Sequence, residues 1–301
     1  MKNYLLLLVA FCAINTSYGQ FYVSASGGYS MSAAGILMGT ELNATQTEAT
    51  NHYGSYGEGM NAQFKGGYFF NDMFGVELGL GYLNGADQTI DSYRVSDSGA
   101  IAEFTKGTAH ARAYGLTASL VYNFNDNFYG RFGMVTKVGG KTEAEFTKST
   151  HTPLSAAGVA PIVAKGNADY HGRMPLGFTG AFGYKYKLSD NLNLFAELEY
   201  LGINVTRDTS EYTALTVTTP AIPAGVVGAS AVPSMVWNLG DAPLAHPVFG
   251  TIAAPTEITY EDTLANPNLD PTKALSSVAP YSSFGINFGI TYSFGDNSAK
   301  K

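Results

Sequence analysis

The sequence predicts an all-β chain: an eight-stranded up-and-down antiparallel transmembrane β-barrel with long loops at one end. Three observations predict it. The stretch Phe284–Phe294 places Phe284, Ile286, Phe288, Ile290, Tyr292 and Phe294 on one face and Gly285, Asn287, Gly289, Thr291 and Ser293 on the other. That is the period of a strand with one greasy and one lean face, at the length of one tilted membrane crossing. Asn/Asp-rich triplets at 71–73, 125–127 and 189–191 each separate two such stretches, as tight turns do. The composition, with 35 Gly, 20 Tyr, 18 Phe and 14% charged residues, suits ring-bearing outer faces over thin inner ones.

Taken in order, Phe21–Met31 alternates with Phe21, Val23, Ala25, Tyr29 and Met31 on the apolar face. Residues 33–59 read as a polar loop. Met60–Phe70 and Phe74–Leu83 form a hairpin about the first turn, with Lys65 and Glu77 on the lean face. A second loop runs from Asn84 to about Gly107. Tyr114–Phe124 and Phe128–Val138 flank the second turn, with Arg131 and Lys137 on the lean face, and a third loop runs to about Tyr170. Met174–Leu188 and Leu192–Tyr200 flank the last turn, with Lys185, Lys187, Glu197 and Glu199 on the lean face. The alternation slips between Leu201 and Val205, as at a bulge. Residues 206–278 form the longest loop, with eight prolines from Pro220 to Pro271, and the final strand follows. An irregular surface segment is expected there, because proline fixes φ and lacks a backbone donor. Three short turns and both termini then share one end of the barrel.

Residues 1–19 read as a cleaved signal peptide. Lys2 supplies the positive start, Tyr4–Ala13 is uncharged, and the small residues Ser17 and Gly19 precede Gln20. Cys12, after bulky Phe11, does not suit a lipidation site, and it is the only cysteine, so neither disulfides nor a thiolate metal site are expected. A net charge of −7 disfavours nucleic acid as a partner.

Alternation alone also fits a soluble barrel with its grease inside. The short-turn/long-loop asymmetry, the clustering of Tyr and Phe at strand ends, and the charges on the lean face favour grease outside. With that settled, Asn287–Phe294 resembles the terminal assembly signal of outer-membrane barrels, with Asn287, Gly289, Tyr292 and Phe294 at its defining positions. Residues 66–77 resemble the first periplasmic hairpin of the small barrels typified by outer membrane protein A and the opacity proteins. The resemblance implies a Gram-negative outer-membrane location, periplasmic termini, and outer-membrane lipid and the barrel assembly machinery as partners. Only seven residues follow Phe294, so no peptidoglycan-binding domain is expected, and the fourth loop is longer than such barrels usually carry.

A barrel of eight strands is only wide enough for its side chains to fill it. Lys65, Glu77, Arg131, Lys137, Lys185, Glu197 and Glu199 are therefore expected to form an interior ion-pair network, with Arg131 and Glu77 at matching depth. A small pore or hydrophobic-ligand conduit is the alternative reading. Lipid-modifying barrel enzymes carry His followed two residues later by Ser; here His110 is followed by Ala111-Arg112 and His171 by Gly172-Arg173. No catalytic, cofactor or metal site is expected. The fourth loop holds seven acidic and two basic residues, and Trp237, the sole tryptophan, is its candidate anchor. The expected function is structural, with binding or adhesion to a surface ligand or host partner through the outer loops.

Overall fold

The computed structural model describes residues 20–33, 35–96 and 100–294. The expected signal peptide, residues 1–19, and the residues after Phe294 lie outside them. Eight strands form the barrel: β1 (Gln20–Ser32), β2 (Gly59–Phe69), β3 (Phe74–Gly85), β4 (Ile101–Asn123), β5 (Phe128–Thr150), β6 (Gly177–Lys187), β7 (Leu192–Gly202) and β8 (Ser283–Phe294). Each pairs antiparallel with its sequence neighbour. β8 returns to β1, Phe294 opposite Phe21, and closes the circuit. Closure satisfies the backbone without an edge, the condition for a sheet to stand in hydrocarbon.

The turns follow from their residues. Asn71 Oδ1 accepts from the amides of Met73 and Phe74 at 2.9 and 2.8 Å, and Asn125 repeats this with Asn127 and Phe128. Such side-chain caps close a short connection between strands that are already in register.

The apolar face points outward. Phe64, Leu78, Leu120, Phe132 and Phe288 are each more than half exposed, while the residues between them are buried or half-buried. Rings gather in two belts. Near the short turns Phe21 meets Tyr68 at 4.7 Å and Phe74 meets Tyr122 at 4.9 Å; toward the long loops Tyr82 meets Tyr114 at 5.1 Å and Phe178 meets Tyr200 at 5.7 Å. Two aromatic girdles bounding an apolar band are what a membrane-spanning barrel presents at its two interfaces.

The long-loop end departs from the irregular loops expected. β4 begins at Ile101 rather than Tyr114, and β5 runs to Thr150 rather than Val138. Strand Ile162–Gly172 pairs with the upper half of β5, and Asn204–Thr219 pairs with that strand in turn. The segment 206–278 thus opens on most of a 16-residue strand, Asn204–Thr219, which ends just before its first proline, Pro220, and Glu257–Glu261 extends the sheet further. The first loop is a hairpin of Ile36–Leu42 and Ala49–Gly54. β6 starts at Gly177, not Met174, because Pro175 has no amide to give a ladder.

β5 crosses from barrel to raised sheet at a bulge. Gly115 lies opposite Lys137 and Tyr114 opposite Gly139, so Val138 is the extra residue. Gly140 carries φ +91°, a conformation that glycine adopts without penalty. The extra residue inverts the face: below it the odd residues Arg131 and Val135 point inward, above it the even residues Thr142 and Ala144 do.

Candidate functional site

The lumen is built in layers. Nearest the short turns, Tyr22, Phe69, Tyr129 and Phe195 form an aromatic floor with Val121. Three of these rings are admitted by glycines on neighbouring strands, each its register partner: Tyr22 over Gly67, Tyr129 over Gly183 and Phe195 over Gly289. A Cβ at Gly289 would stand 2.6 Å from Phe195 Cζ, and a Cβ at Gly67 or Gly183 would enter the facing tyrosine ring. A polar vestibule of about 710 Å³ opens between the turns and reaches past the floor to Lys65, Glu77 and Glu197.

Above the floor lies the charged layer. Glu197 accepts from Lys65 Nζ at 2.6 Å, Arg131 Nη2 at 2.9 Å and Tyr129 OH at 2.8 Å. Glu199 accepts from Arg131 Nη2 at 2.9 Å, Gln63 Nε2 at 2.6 Å, Asn287 Nδ2 at 2.9 Å and Thr179 Oγ1 at 3.1 Å. Glu77 accepts from Tyr22 OH at 2.9 Å and faces Arg131 Nη1 at 3.5 Å. Every barrel strand except β4 sends a side chain into this layer. Charges withdrawn from water persist only when neutralised and hydrogen-bonded on several sides, and here two cations share three carboxylates.

Two lysines assigned to the layer from sequence sit elsewhere. Lys137 lies above it at the bulge, donating to the Gly140 carbonyl at 3.1 Å with Tyr281 at 5.9 Å. Lys185 lies below it, donating to Asn123 Oδ1 at 2.7 Å and standing over the rings of Tyr129 and Phe69. Face assignment located both correctly inside, but depth along a tilted strand depends on register and stagger. Arg131 likewise rests chiefly on Glu197 and Glu199 rather than on Glu77.

A cavity of about 110 Å³ separates the charged layer from an apolar cap. The cap packs Tyr56, Ile203, Val205, Ala279 and Tyr281 against Ala109, Ala111 and Ala113 of β4. Tyr281 shares a 2.7 Å hydrogen bond with Thr142, and the Tyr56 amide donates to Pro280 O at 2.9 Å. Alternation puts Gln63 and Thr179 on the lean face without showing that they meet Glu199, and nothing in the sequence singled out Tyr281 or Tyr56, whose partners lie many residues away.

Of the assembly-signal positions, Asn287 is fully buried against Glu199 and Gly289 lies beneath Phe195. Tyr292 and Phe294 are outward, their rings 5.0 Å apart and edge-on. Trp237 is 3% exposed: it faces Val217 across a strand pair and donates to Ala242 O at 3.2 Å, so it holds the fourth loop to its own sheet. At the outer rim His110 stands between Asp87 at 3.0 Å and Glu143 at 3.1 Å. Among the described residues no group of three or more His, Cys, Asp or Glu side chains is arranged to hold a metal ion.

The closed, grease-out barrel coincides with a family assignment: the model of the outer membrane protein beta-barrel domain matches residues 4–227. The chain belongs to that family. As a beta-barrel of the outer membrane protein family it places its two girdles in the outer membrane of a Gram-negative cell. No curated protein matches the sequence. Among solved structures the outer-membrane barrel is similar to Neisserial surface protein A, at 10% identity over 91% of this chain and 97% of that one, with a TM-score of 0.33. The outer membrane protein OprG from Pseudomonas aeruginosa aligns at 12% identity over 93% and 97%, with a TM-score of 0.35. A major outer membrane protein from Thermus thermophilus aligns at 12% identity over 92% and 99%, with a TM-score of 0.37.

Proposed function

We propose that this barrel neither conducts nor catalyses, and that its function is contact with a ligand or partner at the cell surface through the raised sheet. Both termini and the short turns then lie on the periplasmic side and the long connections outside. One observation carries the reading: a lumen crossed by bonded charges and closed by an apolar cap supports a sheet that rises far beyond the barrel. β4 and β5 are 23 residues each, roughly twice the ~9–11 residues that a tilted strand needs to cross the membrane. Loops that are built as sheet rather than left irregular offer a preorganised surface, which lowers the ordering cost of binding. The fourth loop's excess of carboxylates disfavours nucleic acid as the partner.

The structure supplies the cut for a test. The Arg207 amide donates to Ser277 O at 2.9 Å, so Asp208–Ser276 can be replaced by a short Gly/Ser turn without reaching any barrel strand. Cell binding of the two forms is compared at matched surface abundance, with the gel-shift of unboiled protein as the assembly control. Loss of binding with intact assembly is expected. Undiminished binding would move the function to the other loops. A small channel is the second reading, supported by the cavity above the charged layer; stepwise conductance in a planar bilayer would favour it over the closed barrel.

A further inference from the structure

β5 changes partners at the outer rim. Its barrel half pairs with β6 up to Val135 opposite Gly177, and its upper half pairs with strand Ile162–Gly172 from Thr142 opposite Tyr170. Between these points no strand covers this side of β5 among the described residues. The chain between the two partners crosses the fork instead, pinned where Thr136 Oγ1 donates to Pro175 O at 2.6 Å. The bulge with its glycines falls in the same stretch, and a Cβ at Gly140 would collide with the Arg112 carbonyl.

A cleft of about 580 Å³ opens at this fork. Its floor is apolar: the Tyr82–Tyr114 ring pair, Val138 and the strongly exposed Met174. Its upper wall carries Arg112 and Lys141, whose side chains stay 52% and 34% exposed, and Lys137 and His171 line it as well. Among the described residues no carboxylate lines it. The carboxylates that serve these cations are neighbours of the cleft: Glu143 lies 3.2 Å from Arg112 Nε and 3.0 Å from Lys141, and Asp169 lies 2.7 Å from Lys141.

With the orientation proposed above, we infer that this cleft seats a phosphate-bearing glycolipid of the outer leaflet, its phosphate on Arg112 and Lys141 and an acyl chain along Tyr82, Tyr114, Val138 and Met174. Three features select that occupant. The cleft straddles the upper aromatic girdle, the depth at which headgroups meet acyl chains. Its cations stand directly above its grease, the arrangement an anionic amphiphile requires. A guanidinium presents paired donors that match phosphate oxygens, and its partner ammonium adds a point charge. The phosphate shares both cations with Glu143 and Asp169, so it adds to ion pairs that are already formed.

The test uses the full mature protein refolded in phosphatidylcholine vesicles alone, with added diphosphorylated lipid A, or with the same lipid A dephosphorylated. The readout is the temperature at which the fast-migrating folded form is lost on a gel, taken as a shift within each protein. Phosphorylated lipid A is expected to raise that temperature and the dephosphorylated form to raise it less. Arg112→Gln/Lys141→Gln is expected to lose the phosphate-dependent shift, and Lys148→Gln, elsewhere on the same sheet, to retain it. Equal shifts from the two lipids, no shift in the wild type, or a shift kept by the double variant would each overturn the proposal. So would loss of the shift in Lys148→Gln, which would mark a diffuse charge effect. The vesicles contain no cell-surface partner, so this result is independent of the binding test above; surface labelling that placed the fork in the periplasm would overturn both the orientation and the site.

Discussion

Lys65 of β2 and Glu197 of β7 meet across the lumen at 2.6 Å, 132 residues apart in sequence and both almost completely buried. Neither strand touches the other in the sheet, so the pair acts as a cross-brace through the barrel. Because Glu197 also serves Arg131 and Tyr129, removing it takes the ion-pair partner from buried Lys65 and leaves Arg131 on Glu199 and Glu77.

Glu197→Leu is therefore expected to cost ~3–5 kcal/mol, the range for breaking a buried pair from one side. In double-mutant cycles by urea unfolding in detergent, Arg131 should couple more strongly to Glu197 than to Glu77, following separations of 2.9 and 3.5 Å. The reverse order would restore Glu77 as the main partner of Arg131.

The aromatic floor depends on absent side chains. Gly183→Val places atoms inside the Tyr129 ring position and should displace the hydroxyl from Glu197, at a cost of ~1–3 kcal/mol. Gly180→Ala, three residues earlier, meets nothing closer than 3.8 Å and should change stability by no more than ~0.5 kcal/mol. Equal effects on the unfolding midpoint would remove the floor from the account.

Both faces of the last strand are sensitive, for different reasons. Ile290→Arg sets a charge on the lipid face and should cost ~2–4 kcal/mol near the midplane. Asn287→Ser looks mild from sequence, yet it withdraws a fully buried donor from Glu199 and should cost ~1–3 kcal/mol. Folding yields in detergent distinguish the two: a silent Asn287→Ser would show that Gln63, Arg131 and Thr179 suffice for Glu199.

The raised sheet should respond to pH from both sides. The Lys141 hydrogen bond, with the charges of Lys141 and Arg112, holds the Glu143 carboxyl below the usual range against the opposing pull of burial. A depressed carboxylate stabilises above its unfolded value of ~4.3 and loses that contribution as pH falls through the folded value. Hydrogen bonds to Asp169 and Glu143 hold the Lys141 ammonium above its usual range, so its contribution is complete below ~10.4 and is lost at higher pH. Protease protection of residues 141–172 is therefore expected to plateau between these limits and fall on acidification, by an amount that shrinks with added salt because the groups are near the surface. Protection that is flat to pH 3 would exclude Glu143 as a strut.

How much could be read beforehand divides cleanly by physics. The faces of all eight barrel strands were legible, because which side a residue points to depends only on its odd or even place between Asn71, Asn125, Ser189 and their neighbours. The strands Ile162–Gly172 and Asn204–Thr219 were not legible as sheet. Their large apolar residues (Ile162, Val163 and Tyr170 in the first; Val205, Tyr212, Leu215 and Val217 in the second) are few and lie among Thr, Ala and charged groups, so no continuous apolar stripe announces them. They are strands because β5 offers an edge to pair with. The same is true of the upper half of β4, where the buried face is Ala109, Ala111 and Ala113 and the pattern is present without the bulk that makes it visible.

The sequence by itself determined the architecture, the outward grease and the presence of charge inside, since each follows from a period of two and from turn residues a few positions apart. Only the tertiary structure decided which charges meet: that Lys65 and Arg131 share Glu197, that Lys137 and Lys185 stand apart, and that a bulge at Val138 turns Thr142 inward to bond Tyr281. Those relations depend on strand stagger around a closed circuit. Stagger is set by all eight pairings together, and no single stretch of chain contains it.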